Sequence, residues 1–188
     1  MTDLSLHLLD IIQNSLTAGA SRITVGVKAE KENNLLTLWV EDNGRGMTAE
    51  TISRVSDPFY TTRTTRKAGL GIPLFKASAE MAGGHFTIVS EPGEGTTVSA
   101  SYEISNIDRK PLGSVADTIT MCIMGHPEIE FHLILENGKE TYVFRTEDVR
   151  AQIGEVPLND PVIIAYLREM IEEQSRSLFG GVLNEIIS

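Results

Sequence analysis

Four separated stretches bring together side chains suited to holding an anionic, planar ligand. Asp42 ends the apolar run "LLTLWV" and opens "DNGRG" (42–46), while Asn14 lies in the largely apolar stretch 4–18. "KAGLGI" (67–72) precedes a helical pattern, and "EPGEGTT" (91–97) precedes a strand-like one. A carboxylate such as Asp42 can accept the exocyclic amine of adenine, which selects adenine over guanine, and Gly44 and Gly46 let the backbone approach a ring closely. Gly69 and Gly71 at a helix start would turn amide hydrogens toward phosphate oxygens, where the helix N-terminus favours anions. Arg66 and Lys67 add positive charge beside them. Asn14 suits a magnesium ion shared with phosphates, because magnesium takes few protein ligands and keeps water and phosphate oxygens. The pattern points to a nucleoside triphosphate, yet neither G-x-x-x-x-G-K-S/T nor G-x-G-x-x-G occurs in the chain. Each stretch also has a plainer use: Asn43-Gly44 is a turn signal by itself, and Arg63, Arg66 and Lys67 are what a solvated basic loop would carry.

The elements that must position these residues follow from periodicity. Residues 4–18, "LSLHLLDIIQNSLTA", predict a buried helix with Thr2 or Asp3 as cap and Gly19 as stop. At about 100° per residue, His7, Asp10 and Asn14 fall on one polar stripe of that helix. "RITVGVKAE" and "LLTLWVED" predict a hairpin across "KENN", and "TAETISRV" a short helix opened by Thr48. "DPFYTTRTTRKAGLGIPLF" has no sustained period and predicts a loop leading into the helix "IPLFKASAEMAG", which Gly83 and Gly84 end. "HFTIVSEPGEGTTVSASYEI" predicts two strands joined by a Pro-Gly turn. A domain boundary is expected near 105–113, giving 1–104 as one domain and 105–188 as a small α+β region. Within that region "GSVADTITMCIM" could be helix or strand, "EIEFHLIL" and "TYVFR" predict a hairpin across "ENGK", and "DPVIIAYLREMIEEQSRSL" predicts a helix with Pro161 in its first turn.

Composition narrows the function classes. The chain has 188 residues, 41% of them hydrophobic, enough to bury a core. Sixteen basic against 26 acidic side chains give a net charge of -10, which argues against binding a nucleic-acid backbone. One cysteine, Cys122, excludes an internal disulfide and a multi-cysteine metal site, so a reducing, cytoplasmic setting is expected. Cys122 itself reads as a small buried hydrophobe. The N-terminus lacks a basic n-region and a cleavage-like ending, and no stretch reaches the roughly 18 apolar residues of a membrane span. His85, His126 and His132 show no partner at metal-ligand spacing and read as structural.

In order and content these stretches resemble the motifs of the histidine-kinase-like ATPase superfamily of histidine kinases, gyrase, Hsp90 chaperones and mismatch-repair ATPases, across about residues 1–104. "DIIQNSLTAGA" is similar to the N box, which puts Asn14 at the magnesium-binding asparagine. "DNGRGM" is similar to the first glycine box, with Asp42 at the adenine-reading aspartate and Gly44, Gly46 and Met47 beside it. "DPFYTTR" looks like the F box of bacterial kinases and brings in Phe59, Thr62 and Arg63. "KAGLGI" resembles the second glycine box, with Lys67, Gly69, Leu70 and Gly71, and Thr96 sits where the family has a threonine reaching adenine through water. The resemblance implies an α+β fold, a two-layer sandwich of the Bergerat type with helices on one face of a mixed sheet, plus the small C-terminal appendage. It implies ATP and magnesium as ligands.

For activity it implies a stand-alone kinase module that phosphorylates a histidine or serine on a separate protein, since phosphoryl transfer needs mainly positioning and charge neutralisation. The rival expectation is an ATP-gated switch or slow ATPase. The compact build also resembles a group from anaerobic bacteria encoded near iron hydrogenase and NADH oxidoreductase subunits, so the partner expected is a phosphoacceptor or regulatory target tied to anaerobic redox metabolism. A homodimer is compatible with this, and neither nucleic acid nor membrane is expected. Three departures qualify the resemblance. Asp10 stands where the hydrolysing branches carry glutamate and sensor kinases asparagine, so it is either a catalytic base with a shorter reach or passive support. Lys67 replaces one glycine of the second box, and no "H-E-x-R-x-P"-like phosphoacceptor helix precedes the domain.

Overall fold

The computed structural model describes residues 3–55 and 71–184. Helix α1 (Leu4–Thr17) starts at Asp3, whose side chain accepts the Leu6 N–H at 3.1 Å. Leu4, Leu8, Ile11 and Ile12 recur at helical spacing and are buried. Each such side chain stabilises by about 1.5–3 kcal/mol relative to exposure. The chain leaves the helix through Ala18 and Gly19, the latter at φ +75°, a left-handed conformation that costs glycine little.

Strands β1 (Arg22–Glu30) and β2 (Leu35–Asp42) pair antiparallel, as the alternation predicts, through a short 3-10 turn, Lys31–Asn33, and a left-handed Asn34. Helix α2 (Ala49–Val55) begins after Thr48, whose hydroxyl accepts the Thr51 N–H. Helix α3 (Gly71–Met81) is followed by β3 (Phe86–Glu91) and β4 (Gly95–Glu103), an antiparallel pair. Residues 115–125, open between helix and strand in the sequence, form α4 (Val115–Gly125), because the Ser114 hydroxyl caps the Asp117 N–H. The hairpin β5 (Glu130–Glu136) and β6 (Thr141–Arg145) turns on Asn137, whose side-chain oxygen accepts the Lys139 and Glu140 N–H groups. Helix α5 (Thr146–Ile153) is not foreseen from sequence, since "TEDVRAQI" buries only Thr146 along its length. Helix α6 (Pro161–Phe179) starts at Asp160, which caps Val162 N–H at 2.8 Å, with Pro161 in the first turn as expected.

The strands form one mixed sheet in the order β3-β4-β2-β1-β5-β6. All neighbours are antiparallel except β1 and β5, which run parallel. Val25, Val27, Leu36, Leu38, Val98, Ala100, Phe131 and Leu133 face one side and are buried with α1, α3, α4 and α6 in a single core. The fold is thus α+β, with a helix layer on one face of a mixed sheet, as the resemblance implies. The other face carries Trp39 and its cross-strand partner Gly26, where a Cβ would lie 2.0 Å from the indole. The C-terminal region supplies β5 and β6 to the same sheet that α1 covers.

Residues 105–113 are clasped against both flanks. Arg109, only 4% exposed, donates to the Ile104, Lys110, Leu183 and Val182 carbonyls at 2.7–3.4 Å. Leu4 N–H and Ser5 N–H donate to the Pro111 and Leu112 carbonyls, so this stretch satisfies two donors at the buried start of α1 that the helix itself leaves unpaired.

Candidate functional site

A concavity of about 430 Å³ with converging polar groups opens between the C-terminal half of α1, the end of β2, α2 and the β3–β4 turn. That volume suits a small-molecule ligand. Its polar points include Asn14 and Ser15 from α1, Asp42 from β2, Arg45 from the loop after it, and Thr96 from β4; Ile11, Met47, Val55, Ile72 and Val98 supply apolar wall.

Asp42 is the best-fixed of these groups. One carboxylate oxygen accepts the Ser15 hydroxyl at 2.6 Å and the other accepts the Gly44 N–H at 2.9 Å. Each oxygen keeps a second lone-pair direction, so the group can still accept a donor from a ligand in the cavity. Its orientation is set by neighbours on two elements before any ligand arrives. Asn43 secures the same junction: its side-chain oxygen accepts the Ser21 and Arg22 N–H groups, both at 2.9 Å.

The glycines act through proximity. A Cβ on Gly44 would stand 2.9 Å from the Ala18 Cβ, and one on Gly46, at φ +65°, would fall 1.8 Å from the Glu91 carbonyl oxygen. Gly93 N–H donates to the Arg45 carbonyl, so the loop after β2 lies directly on the β3–β4 turn. Ser90 joins them: its hydroxyl accepts the Met47 N–H, meets the Thr96 hydroxyl and donates to the Gly95 carbonyl, each at 2.8 Å.

Of the residues singled out from sequence, Asn14, Asp42, Gly46, Met47 and Thr96 line this cavity together. Gly44 backs it through its bond to Asp42. Gly71 opens α3, and a Cβ there would lie 2.9 Å from the Asp10 Cβ, so Asp10 sits against the start of α3 and not among the lining residues. Burial raises the Asp10 carboxyl above its ordinary range, partly offset by the chain's N-terminus. Phe59, Thr62, Arg63, Arg66, Lys67, Gly69 and Leu70 lie outside the described residues.

The polar stripe of α1 divides. His7 is 1% exposed, stacks on Phe75 at 5.5 Å between ring centroids, and has no hydrogen-bond partner for either ring nitrogen among the described residues. Burial, with Lys110 and the N-terminus, pushes its pKa from 6.5 down to about 4 against an opposing effect of Asp3. It is a neutral core residue. Cys122 is buried as expected, its thiol pushed up to about 11 by desolvation.

Sequence reasoning missed Ser15, Ser90 and Arg45. Ser15 was legible in principle, as a small polar residue inside an apolar helix, next to Asn14. Ser90 gives no local signal, because its role appears only when β3 pairs with β4. Arg45 lies inside the glycine-rich turn and is the one cationic side chain lining the cavity among the described residues.

A family model described as "Histidine kinase-, DNA gyrase B-, and HSP90-like ATPase" matches residues 2–106. Among curated relatives, the "Non-motile and phage-resistance protein" of Caulobacter vibrioides is 31% identical over 112 residues, covering 55% of this chain and 13% of that protein. An uncharacterized sensor-like histidine kinase of Rhizobium meliloti is 35% identical over 96 residues, covering 48% of this chain and 18% of that protein. The chain thus spans less than a fifth of the length of either relative. In three dimensions it is similar to the N-terminal domain of a DNA repair protein, with a TM-score of 0.53 and 15% identity over 76% of this chain and 52% of that one, a likeness of fold.

Proposed function

This chain belongs to the family of histidine kinase-, DNA gyrase B- and HSP90-like ATPases, and on that premise we propose that it holds Mg-ATP in the cavity beside Asp42 and passes the terminal phosphoryl group to a separate protein. The observation that carries the proposal is the fixed Asp42 carboxylate, held by Ser15 and Gly44 and aimed into an otherwise largely apolar pocket with Thr96 nearby. An adenine there would donate its exocyclic amine to Asp42 and pack on Met47, Ile72 and Val98. Asn14, on the same wall, would hold the magnesium ion against the phosphates, where the ion neutralises charge and orients the triphosphate. Gly44, Gly46 and Gly71 keep backbone close, and Phe59, Thr62, Arg63, Lys67, Gly69 and Leu70 would complete the site around the phosphates. The similarity to histidine kinases supports a histidine or serine acceptor on another protein. Residues 1–104 are the nucleotide-binding unit in this reading, and 105–188 extend its sheet.

A second reading has one observation in its favour. The Asp10 carboxyl, raised by burial and set against the start of α3, has the character of a general base, which would suit slow hydrolysis and an ATP-gated switch.

Calorimetric titration with Mg-ATP tests the shared premise: saturable binding is expected, and Asp42→Asn should weaken it by about tenfold or more, the worth of about one charge-assisted hydrogen bond. No heat with the unaltered chain would overturn the site. Labelled ATP separates the two readings. Free phosphate released by the pure protein, and abolished by Asp10→Asn, supports the switch. Silence until a partner extract is added supports the kinase.

A further inference from the structure

We propose a second, metal-binding site that owes nothing to the nucleotide: a zinc-type divalent cation held by Glu130, His132 and Glu147. Glu130 and His132 alternate with the buried Phe131 on β5, so both project from the sheet face opposite the helix layer. Glu147 comes from the first turn of α5. One ligand atom from each of the three lies within 4.8 Å of the others. Spacing along the chain left His132 structural, and the fold sets two carboxylates beside it. One partner is two residues away on a strand and the other arrives from a helix that the sequence did not reveal.

A separate observation points the same way. His132 Nε2 is fully buried and has no hydrogen-bond partner among the described residues. Glu147 Oε1 stands 3.9 Å from it, beyond hydrogen-bond range and close enough for both to reach one ion after a small rotamer change. A buried ring nitrogen left unpaired is costly, and a metal would satisfy it. Glu130 is prepared as well: one oxygen accepts from Arg22 Nε at 3.0 Å, leaving the other free, and ligating carboxylates are commonly oriented by such a second bond. One imidazole and two carboxylates suit zinc or a similar transition ion, whereas magnesium prefers an octahedron of oxygens. With three protein ligands, water would fill the remaining coordination. The ion would tie the first turn of α5 to the open end of the C-terminal hairpin, where β5 begins.

The competing account is a metal-free polar cluster in which His132 faces Glu147 and Arg22 faces Glu130. Calorimetry of the full, chelator-treated, nucleotide-free chain with zinc, in excess magnesium at neutral pH, decides between them. A single saturable event is expected, accompanied by a rise in melting temperature. Glu147→Gln, at a half-exposed position that should leave folding intact, and His132→Ala should each weaken it by at least about tenfold and remove the melting shift. His126→Ala, at the exposed His126–Glu128 pair, should leave it unchanged. No saturable zinc binding, binding as tight in Glu147→Gln as in the unaltered chain, or loss in His126→Ala would each overturn the site.

Discussion

His7→Leu offers the sharpest quantitative test of the core behind the cavity. The imidazole is 1% exposed, stacked on Phe75, and unpaired at both nitrogens among the described residues. The folded protein therefore holds it neutral, with a pKa near 4 against 6.5 when unfolded. Above pH 6.5 both states are neutral and the group adds no pH dependence. As pH falls from 6.5 toward 4 the unfolded chain takes up a proton that the folded chain refuses, so stability is lost. The whole gap is worth about 3 kcal/mol at roughly 1.4 kcal/mol per pH unit, and about 2 kcal/mol of it should be gone at about pH 5. Leucine has similar volume and no proton to take up. Urea unfolding of both proteins at about pH 7.5 and about pH 5 isolates the effect, since other titrating groups cancel in the double difference. The variant should be no less stable at the higher pH, because it removes two unsatisfied buried nitrogens, and should gain about 2 kcal/mol on the parent at the lower. A stability difference that is the same at both pH values would refute a neutral, buried His7.

Ser90→Ala removes three hydrogen bonds of 2.8 Å around the cavity rim. It should cost about 1–3 kcal/mol in thermal or urea unfolding and weaken nucleotide binding in calorimetry, with Ser90→Thr restoring part of both. Gly46→Ala cannot keep the present loop, because its Cβ would fall 1.8 Å from the Glu91 carbonyl oxygen at a left-handed φ. Displacement of the loop from the β3–β4 turn should abolish ATP binding while the circular-dichroism signal of the sheet persists. Arg109→Met removes the side-chain donor from the Ile104, Lys110 and Val182 carbonyls and leaves the Leu183 carbonyl with the Leu112 N–H alone. Hydrogen exchange should then quicken at residues 182–184, with a stability loss of about 2 kcal/mol or more.

What could be read beforehand depended on whether a residue's role was local. Asp42, Gly44 and Gly46 announced themselves because a strand end, a tight turn and a close backbone approach all fall within one short stretch. Asn14 was legible as a polar residue on an apolar helix, and it lines the cavity. His7 carried the same helical signal and ended in the core, because period alone does not say which neighbour a helix face will meet. The hairpin of β5 and β6 was readable from its turn, but its parallel pairing with β1 joins residues more than a hundred positions apart and has no sequence signature. α5 escaped for the opposite reason: it is short and mostly polar, with only Val149 and Ile153 packed partly on the core, and what fixes its start is the buried Thr146 hydroxyl accepting the Phe131 N–H at 3.0 Å.

That long-range pairing changes what the C-terminal region can do. Helix α1 carries cavity residues Asn14 and Ser15 in its last turns, while its first turn donates to the Pro111 and Leu112 carbonyls. Thr118 of α4 donates to the Ser5 carbonyl at 3.4 Å, and α4 in turn packs on α6. The two ends of one rigid helix therefore answer to different parts of the chain. A shift at the α4–α1 contact would be passed along the helix to Ser15 and, through its 2.6 Å bond, to Asp42. If residues 105–184 only extended the sheet, α1 could be held by the sheet alone; its N-terminal donors would then need water or Asp3, not the carbonyls of the clasp. Weakening the clasp with Arg109→Met should therefore lower Mg-ATP affinity as well as stability, although Arg109 does not line the cavity. Unchanged affinity in a folded Arg109→Met protein would separate the two regions mechanically and leave the C-terminal region a buttress with no influence on the site.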